Sequence, residues 1–151
     1  MGFKVYIMIG IPGSGKSTYV KNNLADIPMI SRDIIRIELG MCKEGEKYKG
    51  TREEERQVTE YQNALIKYYC VKKQSFVIDD MNTGRFRPQL IEKLRDNGAK
   101  IVFVRVNTPL DICIQRRNGQ IDEETMKKIY NSVVEPNKDE YDELINVNGA
   151  T

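Results

Sequence analysis

An α/β fold, with a parallel sheet of about five strands and helices on both faces, is the class this sequence predicts. Three observations carry it. Short apolar runs alternate with longer amphipathic stretches, the pattern of strands buried between helices. The first apolar run leads directly into Gly10-Ile11-Pro12-Gly13-Ser14-Gly15-Lys16-Ser17-Thr18, which fits the phosphate-binding pattern G-x-x-x-x-G-K-[ST] in its proper strand–turn–helix setting. Finally, the chemically distinctive residues follow the apolar runs, and ligands of parallel sheets bind beyond the carboxyl ends of the strands. The expected architecture is therefore a P-loop NTPase-type three-layer sandwich.

The elements follow in order. Residues from about 4 to 9 form the first buried strand, and a helix runs from about 16 to 25. Pro28-Met29-Ile30 is a short strand, and Asp33 to Leu39 a short helix. Residues 40–51 are polar and contain glycine, so they read as a loop. Arg52 to Lys73 is a long amphipathic helix with Val58, Leu65 and Ile66 on its apolar side. Ser75-Phe76-Val77-Ile78 is the next strand, and Arg87 to Asn97 a helix stopped by Gly98. Ile101 to Val106 is a strand, and Pro109 to Arg117 a helix broken at Asn118-Gly119. Asp122 N-caps a further helix reaching Val134, and Leu144-Ile145-Asn146-Val147 is the last strand.

With 151 residues, 40% hydrophobic and 30% charged, the chain reads as a single domain, 1–151, with enough apolar residues for a core. The first residues enter a strand at once, so neither a signal peptide nor myristoylation at Gly2 is expected. Three dispersed cysteines suggest neither zinc nor disulfides, and a cytoplasmic setting is expected. A net charge of +2 neither requires nor forbids a local basic groove. There is no histidine. A general base must therefore be a carboxylate or, less commonly, Lys, Tyr or Cys.

The glycines of the loop allow the backbone to approach an anion, toward which the loop amides and helix N-terminus point. Gly10, Pro12, Gly13, Ser14, Gly15, Lys16, Ser17 and Thr18 are thus the candidate ATP-binding residues. Lys16 is placed for the β- and γ-phosphates, and Ser17 for Mg2+. The strand ending in Asp79-Asp80 offers the carboxylate that such a metal needs. Adjacent residues on a strand face opposite ways, so the two acids have different tasks. Ser31-Arg32-Asp33-Ile34-Ile35-Arg36 supplies a carboxylate and, three positions on, an arginine. Such a pair suits an acceptor hydroxyl with a neighbouring phosphate. It also suits an N-cap aspartate with a local ion pair.

Taken together, the segments at 10–18, Arg32-Asp33-x-x-Arg36, Asp80-Met81-Asn82, Arg116 after Thr108-Pro109, Ile129-Tyr130-Asn131-Ser132, Glu135-Pro136 and Glu140-Tyr141-Asp142 resemble the kinase domain of bacteriophage polynucleotide 5′-hydroxyl kinases, among the small P-loop kinases. The resemblance spans almost the whole chain. It implies that Asp33 is the general base, that Arg36 contacts the acceptor phosphate and that Arg116 is the lid arginine, binding ATP and, with Lys16, stabilising charge in the transition state. By register with Asn82, it implies that Asp80 is the functional aspartate, at the metal with Ser17 and on the acceptor side with Asn82. The implied cofactor is Mg2+, with ATP or another NTP as donor. The lid departs from the family pattern: Gln120 stands where a second arginine is usual. Arg117 offers a neighbouring charge, but adjacent helical positions point about 100° apart, so it is either a partial replacement or a solvated side chain. A chain of this length is expected to be the kinase part alone.

Three functions remain open. One is transfer to the 5′-hydroxyl of DNA or RNA through a basic tunnel, with Lys43, Lys47, Lys49, Arg52, Arg85 and Arg87 as candidates and Tyr48 as a stacking platform. The interleaved glutamates make a solvated mixed surface an equal reading of that charge. Another is transfer to a nucleoside, a small metabolite or a hydroxymethylated base. The last is a nucleotide-regulated binding module or ATPase.

Overall fold

The computed structural model describes residues 2–46, 48–82 and 84–150. Five strands form one parallel sheet: β1 (Lys4–Ile9), β2 (Met29–Ile30), β3 (Phe76–Ile78), β4 (Lys100–Asn107) and β5 (Glu143–Asn148), in the order β2-β3-β1-β4-β5. The helices are α1 (Lys16–Asn23), α2 (Arg32–Glu38), α3 (Arg52–Val71), α4 (Arg87–Asp96), α5 (Leu110–Arg117) and α6 (Glu123–Ser132). The expected α/β three-layer architecture is thus the observed one. Helix and strand limits fall within a few residues of those expected.

Strand alternation sorts the core into layers. Val5, Ile7, Ile9, Phe76, Ile78, Ile101 and Phe103 face Ile35, Val58, Ile66, Ile91 and Leu94 of α2, α3 and α4. Their neighbours Met8, Val77, Val104 and Val106 face Val20 of α1 and Leu24 just beyond it. A third cluster joins Ile11 to Cys113 of α5 and Met126 of α6. Helix starts follow their local chemistry. Thr51 and Glu54 form a reciprocal capping box at α3. The Asp122 carboxylate accepts from Thr125 N at 2.9 Å to open α6.

β1 lies between β3 and β4, but the chain leaving it crosses to β2 on one side before β4 is added on the other. That reversal opens a crevice at the carboxyl end of β1. The phosphate-binding loop occupies it.

Candidate functional site

The loop between β1 and α1 owes its shape to three glycines used differently. Gly13 and Gly15 have φ of 82° and 101°, a region that side chains disfavour. Gly10 is needed for space: a Cβ there would lie 2.6 Å from Ser14 Oγ and 3.1 Å from Lys16 Cγ. Gly10 N donates to Met81 O at 3.2 Å, joining the loop to the end of β3. Thr108 Oγ1 donates to Ser14 O at 2.6 Å, joining it to the end of β4.

Above the loop is a cavity of about 780 Å3. Pro12 through Thr18 form its floor, Arg32, Asp33, Arg36, Asp79 and Asp80 one wall, and Arg116, Arg117, Asn148 and Gly149 another. Of the expected ATP-binding residues, only Gly10 is absent from the described lining. It supports the floor from beneath.

Lys16 is half-buried among Asp79, Asp80 and Asp33. Burial pushes its ammonium below the usual lysine range, and the three carboxylates oppose that shift. Asp79 is 8% exposed. Burial pushes its carboxyl up, while Lys16 and the Ser17 hydroxyl pull it down.

The two adjacent acids divide differently from the expectation. Ser17 Oγ donates to Asp79 Oδ2 at 3.0 Å. Asp80 turns to the opposite face, where its Oδ1 accepts from Arg32 N at 3.0 Å and its Oδ2 from Gln62 Nε2 at 2.8 Å. The carboxylate beside Ser17 is therefore Asp79, and Asp80 instead holds the first turn of α2. Strand parity is the reason: Asp79 continues the α1-facing side of Val77, and Asp80 the α2- and α3-facing side of Ile78. Asp79 Oδ1 is buried without a hydrogen-bond partner. With the Ser17 hydroxyl it offers hard oxygen ligands that fit magnesium. Among the described residues no cluster of three metal-ligating side chains exists, so an ion here would share its shell with phosphate and water oxygens.

Asp33 lies in the first turn of α2, its side chain 88% exposed at the cavity wall. The N-cap is Ser31, not Asp33, but the local ion pair is present: Arg36 Nη1 donates to Asp33 Oδ1 at 2.7 Å. Arg36 also grips Glu55 of α3, with Nε to Oε2 at 3.1 Å and Nη2 to Oε1 at 2.7 Å. Its guanidinium stands 4.8 Å from the Tyr48 ring centroid. Arg32 Nη2 reaches the same Glu55 carboxylate at 3.3 Å. Glu55 is consequently held at a pKa of about 2, chiefly by Arg36. Glu55 is hard to single out in the sequence because it sits within Glu53-Glu54-Glu55, which reads as an exposed face. Its spacing onto the side of Val58 was the available signal.

Asn82, expected on the acceptor side, serves the backbone in this structure. Its amide donates to Met8 O at 2.8 Å and Asp80 O at 3.0 Å, at a φ of 49°. It pins β3 to β1 and is not among the residues lining the cavity. The basic tunnel also differs from expectation. Lys43, Lys49, Arg52, Arg85 and Arg87 do not line the cavity, whose arginines are Arg32, Arg36, Arg116 and Arg117. Arg87 is 3% exposed and bound to Glu140 through two contacts of 2.8 Å. Tyr48 covers Arg36 and does not line the cavity. Lys47 lies outside the described residues.

Arg116 donates to Gly13 O at 3.1 Å and Gly149 O at 2.7 Å. Arg117 lines the cavity rather than standing in solvent, with its Nε buried and without a hydrogen-bond partner. Among the described residues, no helix is long and apolar enough to cross a membrane.

Comparison with solved structures gives the same architecture. A candidate kinase from Chloroflexus aurantiacus j-10-fl matches with a TM-score of 0.71 at 15% identity, over 99% of this chain and 90% of that one. A chain of the Pnkp1/Rnl/Hen1 RNA repair complex matches with 0.73 at 20% identity, over 87% of this chain and 44% of that one. A gluconokinase from Sinorhizobium meliloti 1021 matches with 0.61 at 16% identity, over 100% and 86%. This chain therefore spans less than half of the repair-complex chain it resembles. A family model described as an AAA domain, AAA_33, matches residues 5–144. With its P-loop, its five-stranded parallel sheet and that match over most of its length, the chain belongs to the AAA_33 family of AAA domains and has a P-loop kinase-like fold.

Proposed function

We propose that this protein transfers the γ-phosphoryl group of ATP to a hydroxyl, and that the acceptor is the 5′-hydroxyl of DNA or RNA. One observation carries the kinase reading: Asp33, on α2, faces the same cavity as Lys16 of the phosphate-binding loop. Phosphoryl transfer needs positioning, charge neutralisation and a group to take the acceptor proton. Lys16 meets the donor phosphates. Asp33 Oδ2 lies on a side chain 88% exposed at the cavity wall, so it is available to orient and deprotonate an acceptor. Arg36 holds the other oxygen and keeps the carboxylate aimed. Asp79 and Ser17 would hold magnesium, which when bound neutralises charge on the phosphates. Support for a polynucleotide acceptor comes from the Arg32-Asp33-x-x-Arg36 pattern and from the likeness to a chain of an RNA repair complex.

One observation favours a second reading. The Arg36 charge is already matched by Asp33 and Glu55, so the site does not demand an acceptor phosphate. A small polyol or nucleoside would then suffice, in keeping with the similar gluconokinase fold.

The test is transfer of γ-labelled phosphate with magnesium to 5′-hydroxyl DNA and RNA oligonucleotides, to nucleosides and sugars, and to DNA with hydroxymethylated bases and blocked 5′ ends. Label on 5′-hydroxyl oligonucleotides, lost with Asp33→Asn, is the expected result. Label confined to small acceptors or blocked DNA would move the acceptor and keep the kinase. ATP hydrolysis that persists in Asp33→Asn without labelling any acceptor would overturn both.

A further inference from the structure

We infer that Arg117 is the cation this site directs at the terminal phosphate of a bound nucleoside triphosphate, and that its neighbour Arg116 is a structural clamp. The inference rests on the nucleotide-binding reading above and reassigns the lid role within it.

Neighbouring residues on a helix point about 100° apart, and the last turn of α5 divides its two arginines accordingly. Arg116 spends both terminal nitrogens on main-chain carbonyls, Gly13 O and Gly149 O. These bonds tie the phosphate loop to the segment after β5. Swinging the guanidinium onto a phosphate would release both. Asn118, in the left-handed region, caps the helix through bonds from its N to Ile114 O and Gln115 O, which fixes the direction in which Arg117 leaves.

Arg117 goes to the cavity. Its stem lies over the phosphate loop, and a Cβ on Gly13 would stand 3.3 Å from its Cγ. Its Nε is buried with no hydrogen-bond partner. Arg117 lines the same cavity as Lys16. Two cations thus converge on one space while the nearer carboxylates serve Ser17, Arg32 and Arg36. Holding a guanidinium with an unsatisfied nitrogen partly out of water is unfavourable, and an anion between the two cations removes the penalty. A phosphate fits best, since the planar fork binds two of its oxygens at once. The site therefore keeps a lid cation although Gln120 replaces the usual second arginine.

The test is calorimetric binding of Mg-ADP, of a non-hydrolysable ATP analogue with magnesium and of inorganic phosphate, with melting curves of the ligand-free proteins. For Arg117→Ala, the analogue is expected to weaken by about 10-fold or more, the value of a lost charged hydrogen bond. ADP should weaken far less, and the ligand-free Tm should not fall. Arg117→Lys should recover only part of the loss. Arg116→Ala should lower the ligand-free Tm and weaken ADP and analogue by a similar factor. If that variant does not fold, Arg116→Lys serves in its place. Equal losses of ADP and analogue in Arg117→Ala, or selective loss of the analogue in the Arg116 variant, would overturn the assignment and leave the kinase reading intact. Wild-type protein that binds inorganic phosphate but neither nucleotide would show an adventitious anion site only. That result would overturn both.

Discussion

At the scale of single residues, the site is a matter of which charge faces which. Lys16 lies among three carboxylates on the floor of the cavity, and in the proposed reaction it is the loop's cation for the donor phosphates. Lys16→Ala is expected to abolish turnover, measured with any accepted hydroxyl. Asp33→Asn keeps the size and the exposed position but cannot take a proton. Transfer should fall by on the order of 100-fold or more, with ATP affinity nearly unchanged in direct binding. Glu55 permits a pH test with a definite sign. Its carboxyl is held at about 2, against an ordinary 4.5, by Arg36 and Arg32. A depressed folded-state pKa gives stability that is present above 4.5 and lost as pH falls toward 2. Glu55→Gln should lower the Tm near neutrality and flatten its decline between those limits. Calorimetry across that range checks it; a parallel decline in wild type and variant would refute it. Lys16, Ser17, Asp33 and Arg36 were legible because each stands in a local pattern with a chemical reason. Glu55 and the cavity-side placement of Arg117 were not, since both depend on what the fold brings near them rather than on the local pattern of the chain.

At the scale of elements, α2 acts as a mounted part. Asp80 accepts from its first amide, Gln62 of α3 steadies Asp80, and Arg32 reaches Thr59, Gln62 and Glu55 of α3. These contacts set the height of Asp33 above the phosphate loop. Asp80→Ala leaves the Arg32 amide and Gln62 unsatisfied, at about 1–3 kcal/mol. It should reduce transfer while sparing nucleotide affinity. Asp79→Ala should do the reverse, weakening magnesium-dependent nucleotide binding first. Measuring both parameters on the pair distinguishes them, and identical profiles would sink the division of labour. The elements themselves were legible from period and turn residues. The parity of β3 relative to α1 was not, because it requires knowing on which face of the sheet the first helix lies.

At the scale of the whole molecule, distant segments are fastened by a few buried polar contacts. Arg87, at the start of α4, holds Glu140 with Nε to Oε2 and Nη2 to Oε1, and also donates to Asn82 O and Val134 O. Removing one partner of a buried pair costs about 3–5 kcal/mol. Arg87→Ala should shift the urea midpoint accordingly. An unchanged midpoint would mean that the pair carries no stability. Strand alternation was enough to foresee a parallel sheet with its site at the carboxyl ends. The side-by-side order of the strands was not foreseeable, because crossover connections of either side leave the same local pattern.

Gly149 follows the edge strand β5, and a Cβ there would collide with Thr108 Oγ1 and Ser14 O. Arg116 binds its carbonyl, and its amide donates to Asn107 O at 2.8 Å. Residues 13 and 149, far apart along the sequence, thus meet in one wall. Opening of that edge strand and emptying of the phosphate loop are expected to be coupled through these contacts. Any ligand that prefers the closed wall must slow hydrogen–deuterium exchange along 143–148. This edge strand would in that sense report occupancy, readable amide by amide without following any chemistry.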